Sequence, residues 1–365
     1  MNSPAEISAR YKMQHGAFTL DVDVTIPMRG VTGVFGESGA GKTSLLRCIA
    51  GLEEPDVGEL IVGGETWQDG NTSLAVHQRD IGYVFQEPRL FPHLDVRANL
   101  EYGQRRKRGD GIALHEAVEL LGLGRMLERP VTSLSGGEAQ RVAMARALLR
   151  GPRFVLMDEP LASLDRSRRD EILPFLDRLH LQRRIPIIYV SHSIDEIARL
   201  CDHLLVLHNG NVAASGPLQE VLLQADLPGL GGAEAGAVIA ARVAAVDKQH
   251  ELTSARFDGG ELWVSGLREP GDDLRLRIRA SDVSICRSRP EATTILNVIP
   301  AIVRDIVSDD RSSALVRLAI GGCEILARVT RRSVAELGLA EGDEVFAQIK
   351  SVAVRNTPID PNVDS

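Results

Sequence analysis

Short apolar runs alternate with amphipathic stretches over roughly the first 225 residues of the chain. Three runs read as buried strands: Val31–Phe35, Phe154–Met157 and Ile185–Val190. Three stretches have helical periodicity: Lys42–Ala50, Glu138–Leu149 and Arg166–Leu181. This alternation predicts an α/β fold with a mostly parallel sheet.

The pattern changes after Leu227–Gly232, where proline and repeated glycine disfavour both helix and strand. Beyond this point the apolar segments are short and rich in valine and isoleucine, and turn residues separate most of them. They are Ala237–Val246, Glu261–Val264, Leu274–Ile278, Ile299–Val307, Ala314–Ile320, Glu324–Val329 and Glu344–Val354. We therefore expect a second region built as a small all-β barrel of the OB type.

Composition narrows the functional classes. The chain has 365 residues, is 44% hydrophobic and 25% charged, and carries a net charge of −8, so a disordered chain is excluded and nucleic-acid binding is not expected. The four cysteines are far apart, which gives neither a zinc motif nor a disulfide framework. No apolar stretch is long enough to span a bilayer and the N-terminus does not resemble a secretory signal, so any membrane role is expected to need partners.

A phosphate-binding loop is predicted between the first buried strand and the first helix. The segment matches G-x-x-x-x-G-K-[ST], and its residues are Gly36, Glu37, Ser38, Gly39, Ala40, Gly41, Lys42 and Thr43. The glycines allow backbone N–H groups and the helix N-terminus to point at phosphate oxygens. Lys42 is expected to reach the β- and γ-phosphates, and the Thr43 hydroxyl is expected to bind Mg²⁺.

Two carboxylates follow the buried strand Phe154–Met157. Asp158, at the carboxyl end of that strand, is expected to hold the Mg²⁺, directly or through water. Glu159 is then placed to orient and deprotonate an attacking water, which makes it the expected general base. Together with the phosphate loop, these residues predict a Mg²⁺-dependent site that hydrolyses a nucleoside triphosphate.

The segment Leu134–Glu138, which reads LSGGE, resembles the signature of the ATP-binding cassette (ABC) transporter family. Other family elements occur in the expected order: Gln86 resembles the Q-loop residue, Ser163–Asp165 the D-loop and His192 the switch histidine. The resemblance implies that Gln86 senses Mg²⁺ and contacts a transmembrane partner, and that His192 contacts the γ-phosphate. Glu159, His192 and Gln86 are thus the expected catalytic residues.

The resemblance also implies a dimer. The signature residues Ser135, Gly136, Gly137 and Glu138 form an anion-binding helix start, which in this family faces the phosphate loop of a second copy. Two ATP molecules are then enclosed between two chains arranged head to tail. The family stacks an aromatic residue on the adenine, and Tyr11 and Phe18 are both candidates.

Several segments resemble, more narrowly, the ATP-binding subunit of molybdate importers. They are residues 82–93, 158–165, 189–193 and 277–284. This implies two transmembrane permease subunits as partners, an anion-binding protein outside the cell, and a peripheral position on the cytoplasmic face of the inner membrane. The segment Leu90–Pro92 is expected to form an exposed apolar edge that docks a short permease helix.

The end of the chain resembles the molybdate-binding barrel domain of that family. Thr294–Val298 and Gln348–Val352 match its two edges, so Thr294, Lys350 and Ser351 are possible oxyanion donors. Leu296 stands where the family often has an arginine, and the alternative is that the barrel serves packing or dimerisation. The expected domains are a cassette at 1–229, a linker and first β segment at 230–290, and the barrel at 291–357.

Two other functions compete with a molybdate or tungstate importer ATPase. One keeps the ATPase and changes the cargo to sulfate, ferric iron, polyamine or sugar. The other makes the chain an oxyanion-binding regulator or store, which would have no need of Glu159 and His192.

Overall fold

A computed structural model describes residues 6–106, 109, 111–162, 164–183, 185–224, 227–308, 312–350 and 355–358. The chain divides into two compact units, 1–215 and 216–365. No helix in these described ranges combines the length and the apolar character needed to cross a membrane.

A ten-stranded mixed sheet organises the first unit. Its strands are β1 (Glu6–His15), β2 (Phe18–Pro27), β3 (Val31–Phe35), β4 (Val57–Val62), β5 (Glu65–Gln68), β6 (Ile81–Val84), β7 (Phe154–Asp158), β8 (Ile187–Val190), β9 (His203–His208) and β10 (Asn211–Pro217). Their order across the sheet is β5-β4-β1-β2-β10-β9-β3-β8-β7-β6. The strands β9, β3, β8, β7 and β6 pair in parallel, so their carboxyl ends meet at one edge.

The central parallel strands are buried, as their apolar runs predict. Every residue of β3, β7 and β8 is buried, which is typical of a sheet covered on both faces. The strand β8 begins at Ile187 rather than at Ile185 as predicted, because Pro186 has no N–H to donate to a neighbouring strand. The α/β architecture predicted for this region is confirmed.

Six helices accompany this sheet: α1 (Lys42–Ala50), α2 (Val96–Gln104), α3 (Leu114–Leu120), α4 (Gly136–Leu148), α5 (Arg166–Arg183) and α6 (Ile194–Leu200). The helices α2, α3 and α4 pack on one another and form a helical subdomain. The helix α4 begins two residues earlier than predicted because Ser135 caps it, with its hydroxyl accepting a hydrogen bond from Glu138 N–H at 3.3 Å.

The described part of the second unit is built mainly of antiparallel strands. They are β11 (Gly236–Asp247), β12 (Leu252–Phe257), β13 (Gly260–Ser265), β14 (Asp273–Arg279), β15 (Val283–Cys286), β16 (Asn297–Ser308), β17 (Ser313–Ile320), β18 (Cys323–Thr330), β19 (Glu344–Ile349) and β20 (Arg355–Pro358). Two sheets result, ordered β13-β12-β11-β14-β20 and β15-β19-β16-β17-β18, and α7 (Leu218–Leu222) and α8 (Arg331–Leu337) flank them. This curled, OB-like half-barrel confirms the predicted fold class.

Three described strands of this unit, β12, β15 and β20, are absent from the predicted set. In β12 the polar residues Thr253 and Ser254 are fully buried, so the apolar pattern that marks a strand is interrupted. Their hydroxyls are satisfied inside the fold, Thr253 Oγ1 by the carbonyl of Gly266 at 2.7 Å and Ser254 Oγ by Glu261. The last predicted segment extends as a strand to Ile349, and its residues 351–354 lie outside the described residues.

Candidate functional site

The predicted phosphate loop joins the carboxyl end of β3 to the start of α1. Gly41 adopts a positive φ of 98°, where a side chain would strain the backbone and approach Leu20. A side chain at Gly36 would collide with the carbonyl oxygen of Leu207. The two glycines therefore let the loop pass close to its neighbours and bring it to the N-terminus of α1, where free N–H groups favour an anion.

Lys42 is the first residue of α1 and its side chain is only 5% exposed. Its ammonium donates to the carbonyl oxygens of Gly36 and Glu37, both at 2.9 Å, so it folds back over the phosphate loop. It also lies 3.8 Å from Glu159 Oε1. The structure thus fixes a positive charge beside the loop amides, where a phosphate would need it.

Thr43 and Asp158 meet across the gap between α1 and β7. The Thr43 hydroxyl donates to Asp158 Oδ1 at 2.9 Å, and the hydroxyl of Tyr83 donates to Asp158 Oδ2 at 3.1 Å. Burial raises the pKa of Asp158, while these two hydrogen bonds oppose the rise. Burial also raises the pKa of Tyr83 well above its ordinary value, so its hydroxyl stays protonated and remains a donor.

Glu159 directly follows β7 and has a positive φ of 44°. This backbone is uncommon for a residue with a side chain and costs about 1–3 kcal/mol, which the surrounding contacts must offset. The Glu159 N–H donates to the carbonyl of Val190 at 3.1 Å, and His192 Nδ1 lies 3.2 Å from Glu159 Oε2. The carboxylate is therefore held between an ammonium and an imidazole at the carboxyl edge of the sheet.

The signature segment forms the N-terminus of α4. The Ser135 N–H donates to Glu138 Oε2 at 2.7 Å, so the two residues cap the helix reciprocally. Arg129 pairs with Glu138 at 3.0 Å. The hydrogen bond from Ser135 N–H is the main cause that lowers the pKa of Glu138, which keeps it charged. Gly136 and Gly137 are the first two residues of the helix, which makes the segment a well-defined anion-facing helix start.

The other positions named from the sequence are placed as follows. Gln86 lies in an exposed turn after β6, and within the described residues Asp158 bonds Thr43 and Tyr83 rather than Gln86. Its predicted link to Mg²⁺ stays a prediction. Ser163, of the D-loop motif, lies outside the described residues, as does Ser351 of the possible oxyanion set.

The structure separates the two adenine-stacking candidates. Tyr11 is fully buried, so its ring has no free face for a base. Phe18 is half-buried and packs against the phosphate loop, since a side chain at Gly41 would come within 3.0 Å of its ring. Only Phe18 is available beside the loop.

In the segment after Gln86, which the sequence predicts to be an exposed apolar edge, Pro92 is exposed and Leu90 is half-buried. Phe91 is half-buried: its ring lies 4.3 Å from that of Tyr102, and the Arg146 guanidinium lies 5.0 Å from its centre. It lines a mainly apolar groove of about 270 Å³ together with Tyr83 and Phe85. Phe91 therefore lines a concave apolar surface, and the docking of a permease helix at this segment stays a prediction.

The two barrel motifs meet at one end of the β16–β19 pair, where Asn297 stands opposite Ile349. Thr294 and Lys350 are exposed there, and Leu296 is 56% exposed. Asn297 is buried and accepts a hydrogen bond from Trp263 N–H at 2.7 Å while donating to the Trp263 carbonyl at 3.0 Å. The amide in this motif therefore links the two sheets.

Sequence reasoning missed Tyr83, Asn297 and Gln140, whose buried amide donates to the Phe85 carbonyl at 3.1 Å. For Tyr83, the position along its strand could have indicated a role at the site. It lies near the carboxyl end of β6, the neighbour of β7, and parallel strands place such residues at the same edge.

Comparison with known proteins agrees with this architecture. The family model described as ABC transporter matches residues 19–162, and the model described as TOBE domain matches residues 293–355. The molybdenum import ATP-binding protein ModC of Thiobacillus denitrificans is 51% identical over 96% of this chain and 98% of its own. The ModC proteins of Methylococcus capsulatus and Azotobacter vinelandii (its ModC 1) are each 50% identical over 96% of this chain and 99% of their own.

Solved structures resemble the first unit. A dimeric ATP-binding cassette in a post-hydrolysis state, bound to ADP and Pi, matches with a TM-score of 0.50 and 25% identity over 58% of this chain and 98% of its own. The cbiO1 protein of Clostridium perfringens, part of the ABC transporter complex cbiONQ, matches with a TM-score of 0.52 and 24% identity over 61% of this chain and 92% of its own. The second match supports the fold alone.

Proposed function

The chain belongs to the ABC transporter ATPase family of molybdenum import ATP-binding proteins, and on that premise we propose how it works. It is the ATP-hydrolysing, energy-coupling subunit of an importer for molybdate or a similar tetrahedral oxyanion such as tungstate. The observation that carries this function is the convergence of Lys42, Glu159 and His192 at one edge of the sheet, in a chain about half identical to those relatives.

We assign the phosphates of ATP to the loop Gly36–Thr43, with Lys42 neutralising the β- and γ-phosphate charge. The hydroxyl of Thr43 and the carboxylate of Asp158 lie 2.9 Å apart and are the hard oxygen donors that Mg²⁺ prefers. They would hold the ion, which when bound would neutralise phosphate charge. Gln86 is assigned to the same ion from its place in the family pattern, and Phe18 to the adenine.

Hydrolysis is assigned to Glu159 and His192. The Glu159 carboxylate orients a water and accepts its proton, and the contacts with Lys42 and His192 aim that carboxylate. His192, half exposed and 3.2 Å from Glu159, is assigned to the γ-phosphate. The helix start at Ser135–Glu138 completes the ATP site of a second copy in a head-to-tail dimer, as the solved dimeric cassette supports.

Two transmembrane permease subunits are the proposed membrane partners, and an anion-binding protein outside the cell acts through them. The subunit would then lie on the cytoplasmic face of the inner membrane. We assign the groove lined by Phe91, Tyr83 and Phe85 to a short apolar helix of the permease, since a concave apolar surface suits such a segment.

We keep the functional division at 1–229, 230–290 and 291–357 as part of this proposal. Thr294, Lys350 and Ser351 are retained as a possible oxyanion site, with a packing role as the competing assignment. An importer of sulfate, ferric iron, polyamine or sugar would use the same ATPase machinery. A regulator or store would not need the strained, doubly contacted Glu159.

Reconstituting the full chain with its permease subunits and binding protein in vesicles tests the proposal. ATP hydrolysis and uptake are measured with molybdate, tungstate, sulfate and a sugar. We expect both to be stimulated by molybdate or tungstate. Stimulation by sulfate or sugar alone would contradict the assigned cargo, and absence of hydrolysis with every substrate would contradict the ATPase assignment.

A further inference from the structure

A buried carboxylate outside the assigned ATP site, that of Glu196, connects two turns. One turn carries His192 and the other follows Glu159. Glu196 lies in the first turn of α6 and is 7% exposed. Its Oε2 accepts hydrogen bonds from Tyr189 at 2.9 Å and from Ser191 at 2.7 Å. Its Oε1 lies 3.7 Å from the guanidinium of Arg169 in α5. A buried charge is kept only where such partners compensate its lost hydration, so this arrangement is specific.

One side of this cluster holds the turn that carries His192. Ser191 immediately precedes His192, and its hydroxyl both donates to Glu196 and accepts from Ser193 N–H at 3.0 Å. Ser193 in turn caps α6 by accepting from Glu196 N–H at 3.4 Å. The residues on both sides of His192 are therefore tied to Glu196 or its helix.

The other side holds the turn that follows Glu159. Arg169 donates from Nε to the Leu164 carbonyl at 2.9 Å and from Nη2 to the Ala162 carbonyl at 3.4 Å. The Ala162 N–H donates to the Glu159 carbonyl at 3.1 Å, so this turn continues directly from the proposed base. The guanidinium thus reaches from Glu196 to the backbone just beyond Glu159.

We propose that Glu196 is a positioning residue that, with Arg169, sets the relative placement of His192 and Glu159. It touches neither of them, and it acts through Ser191 on one turn and through Arg169 on the other. Burial and the Glu196 carboxylate raise the pKa of Tyr189 well above its ordinary value, so the tyrosine remains a donor to the cluster. This role rests on the proposed ATPase function and adds a connection between its two catalytic turns.

The substitution Glu196→Gln isolates the connection. With its oxygen at the position of Oε2, glutamine still accepts from Tyr189 and Ser191, while its NH₂ group faces Arg169 and cannot pair with it. A matched control exists between the same two helices. Arg199 in α6 pairs with Asp177 in α5 at 2.6 Å, and the substitution Asp177→Asn weakens that pair while it leaves Glu196 and Arg169 unchanged.

The full-length chain reconstituted with its permease subunits is assayed for kcat, for the KM and Kd of ATP, and for Tm. We expect Glu196→Gln to lower kcat about tenfold or more, because misplacement by a fraction of an ångström disturbs proton transfer. Its Kd for ATP stays within about twofold of the parent, because the phosphate loop is untouched. We expect Asp177→Asn to lower Tm by about as much as Glu196→Gln does, and to keep kcat within about twofold of the parent.

An equal kcat for Glu196→Gln and Asp177→Asn would overturn the positioning role, as would a tenfold loss of ATP affinity in Glu196→Gln. If the parent complex itself lacks ATPase activity, the proposed function fails rather than this inference. If Glu196→Gln does not fold, Arg169→Lys is the second variant that tests the positioning role. It keeps the charge but cannot span both carbonyls, so kcat should fall with Kd unchanged, and a parental kcat would contradict the proposal.

Discussion

The nucleotide edge of the first unit and the motif edge of the second unit hold their polar side chains in different ways. Around the phosphate loop, the four residues Lys42, Thr43, Asp158 and Glu159 are buried or half-buried, and each contacts another member of the set. At the barrel edge, Thr294 and Lys350 are exposed, and so is Leu296, which lies within the first motif. A dianion bound at this edge would therefore meet hydrogen-bond donors that are exposed to water.

The difference follows from where each set lies in its sheet. Parallel strands end together, so residues after β3, β7 and β8 must meet at one edge, and the helix that follows β3 presents its N-terminus there. In the antiparallel barrel the buried amide of Asn297 is used to join β13 to β16. Substitutions at the nucleotide edge should therefore change chemistry, whereas those at the barrel edge should change stability.

Replacing Glu159 by Gln should give the largest effect. The amide keeps the size of the side chain and cannot accept the proton from water, so we expect kcat to fall about a thousandfold while ATP binding persists. Phosphate release and the mass of the ATP-bound species measure this. We expect a trapped dimer, and Glu128→Gln in an exposed ion pair with Arg97 should behave as the parent. Near-parental turnover would refute the general-base assignment.

Replacing Lys42 by Ala should reduce ATP affinity by about a hundredfold, since a charge-assisted phosphate contact contributes about 1.5–3 kcal/mol. Calorimetry with the full chain measures the dissociation constant. Lys12→Ala is the control, because Lys12 pairs with Asp21 on an exposed strand surface. Unchanged ATP affinity in Lys42→Ala would place the phosphates elsewhere and remove the contrast with the barrel edge.

Some of these residues could be predicted from the sequence and others could not. The helix α1 and the strand β7 were predictable because motif spacing and apolar runs are local, and the catalytic positions follow from them. Tyr83 and Glu196 were not, because their roles depend on which strand or helix lies beside them. Asn297 lies within the motif Thr294–Val298, but its pairing with Trp263 depends on a strand register that no local pattern encodes.

Placing a charge in the groove tests whether the first unit has a second functional surface. Phe91→Asp puts a carboxylate against the Tyr102 ring and the apolar wall, so we expect coupled transport to fall about tenfold or more. ATP binding by the isolated chain should be unchanged, because the substitution leaves the phosphate loop intact. Phe91→Leu, which keeps the wall apolar, should retain most transport. Parental transport in Phe91→Asp would remove the docking assignment.

At the barrel edge we expect Asn297→Ala to lower the free energy of unfolding by about 1–3 kcal/mol, because the N–H and carbonyl of Trp263 lose their partner. Denaturant unfolding of the full chain measures it, and basal ATPase activity should stay within about twofold. Asn297→Asp keeps the acceptor but places a buried carboxylate oxygen against the Trp263 carbonyl, so at neutral pH its loss should be at least as large. A drop in ATPase activity without a drop in stability would contradict the structural role.

The smallest effect is expected from Leu296→Arg. Leu296 is exposed beside the end of the β16–β19 pair, next to Lys350, so an arginine there adds a bidentate donor for a tetrahedral dianion without disturbing the core. We expect the parent chain to bind molybdate weakly or not at all, because its donors are exposed, and we expect Leu296→Arg to tighten binding a fewfold by calorimetry. Leu267→Arg, at another exposed leucine of this unit, is the control for a general gain of positive charge. Tight molybdate binding by the parent would show that exposed donors suffice without the arginine. Equal molybdate binding by the two arginine variants would show that the motif edge binds the anion no better than the rest of the barrel surface. Among the described residues, the nucleotide edge would then be the one predicted site whose side chains converge.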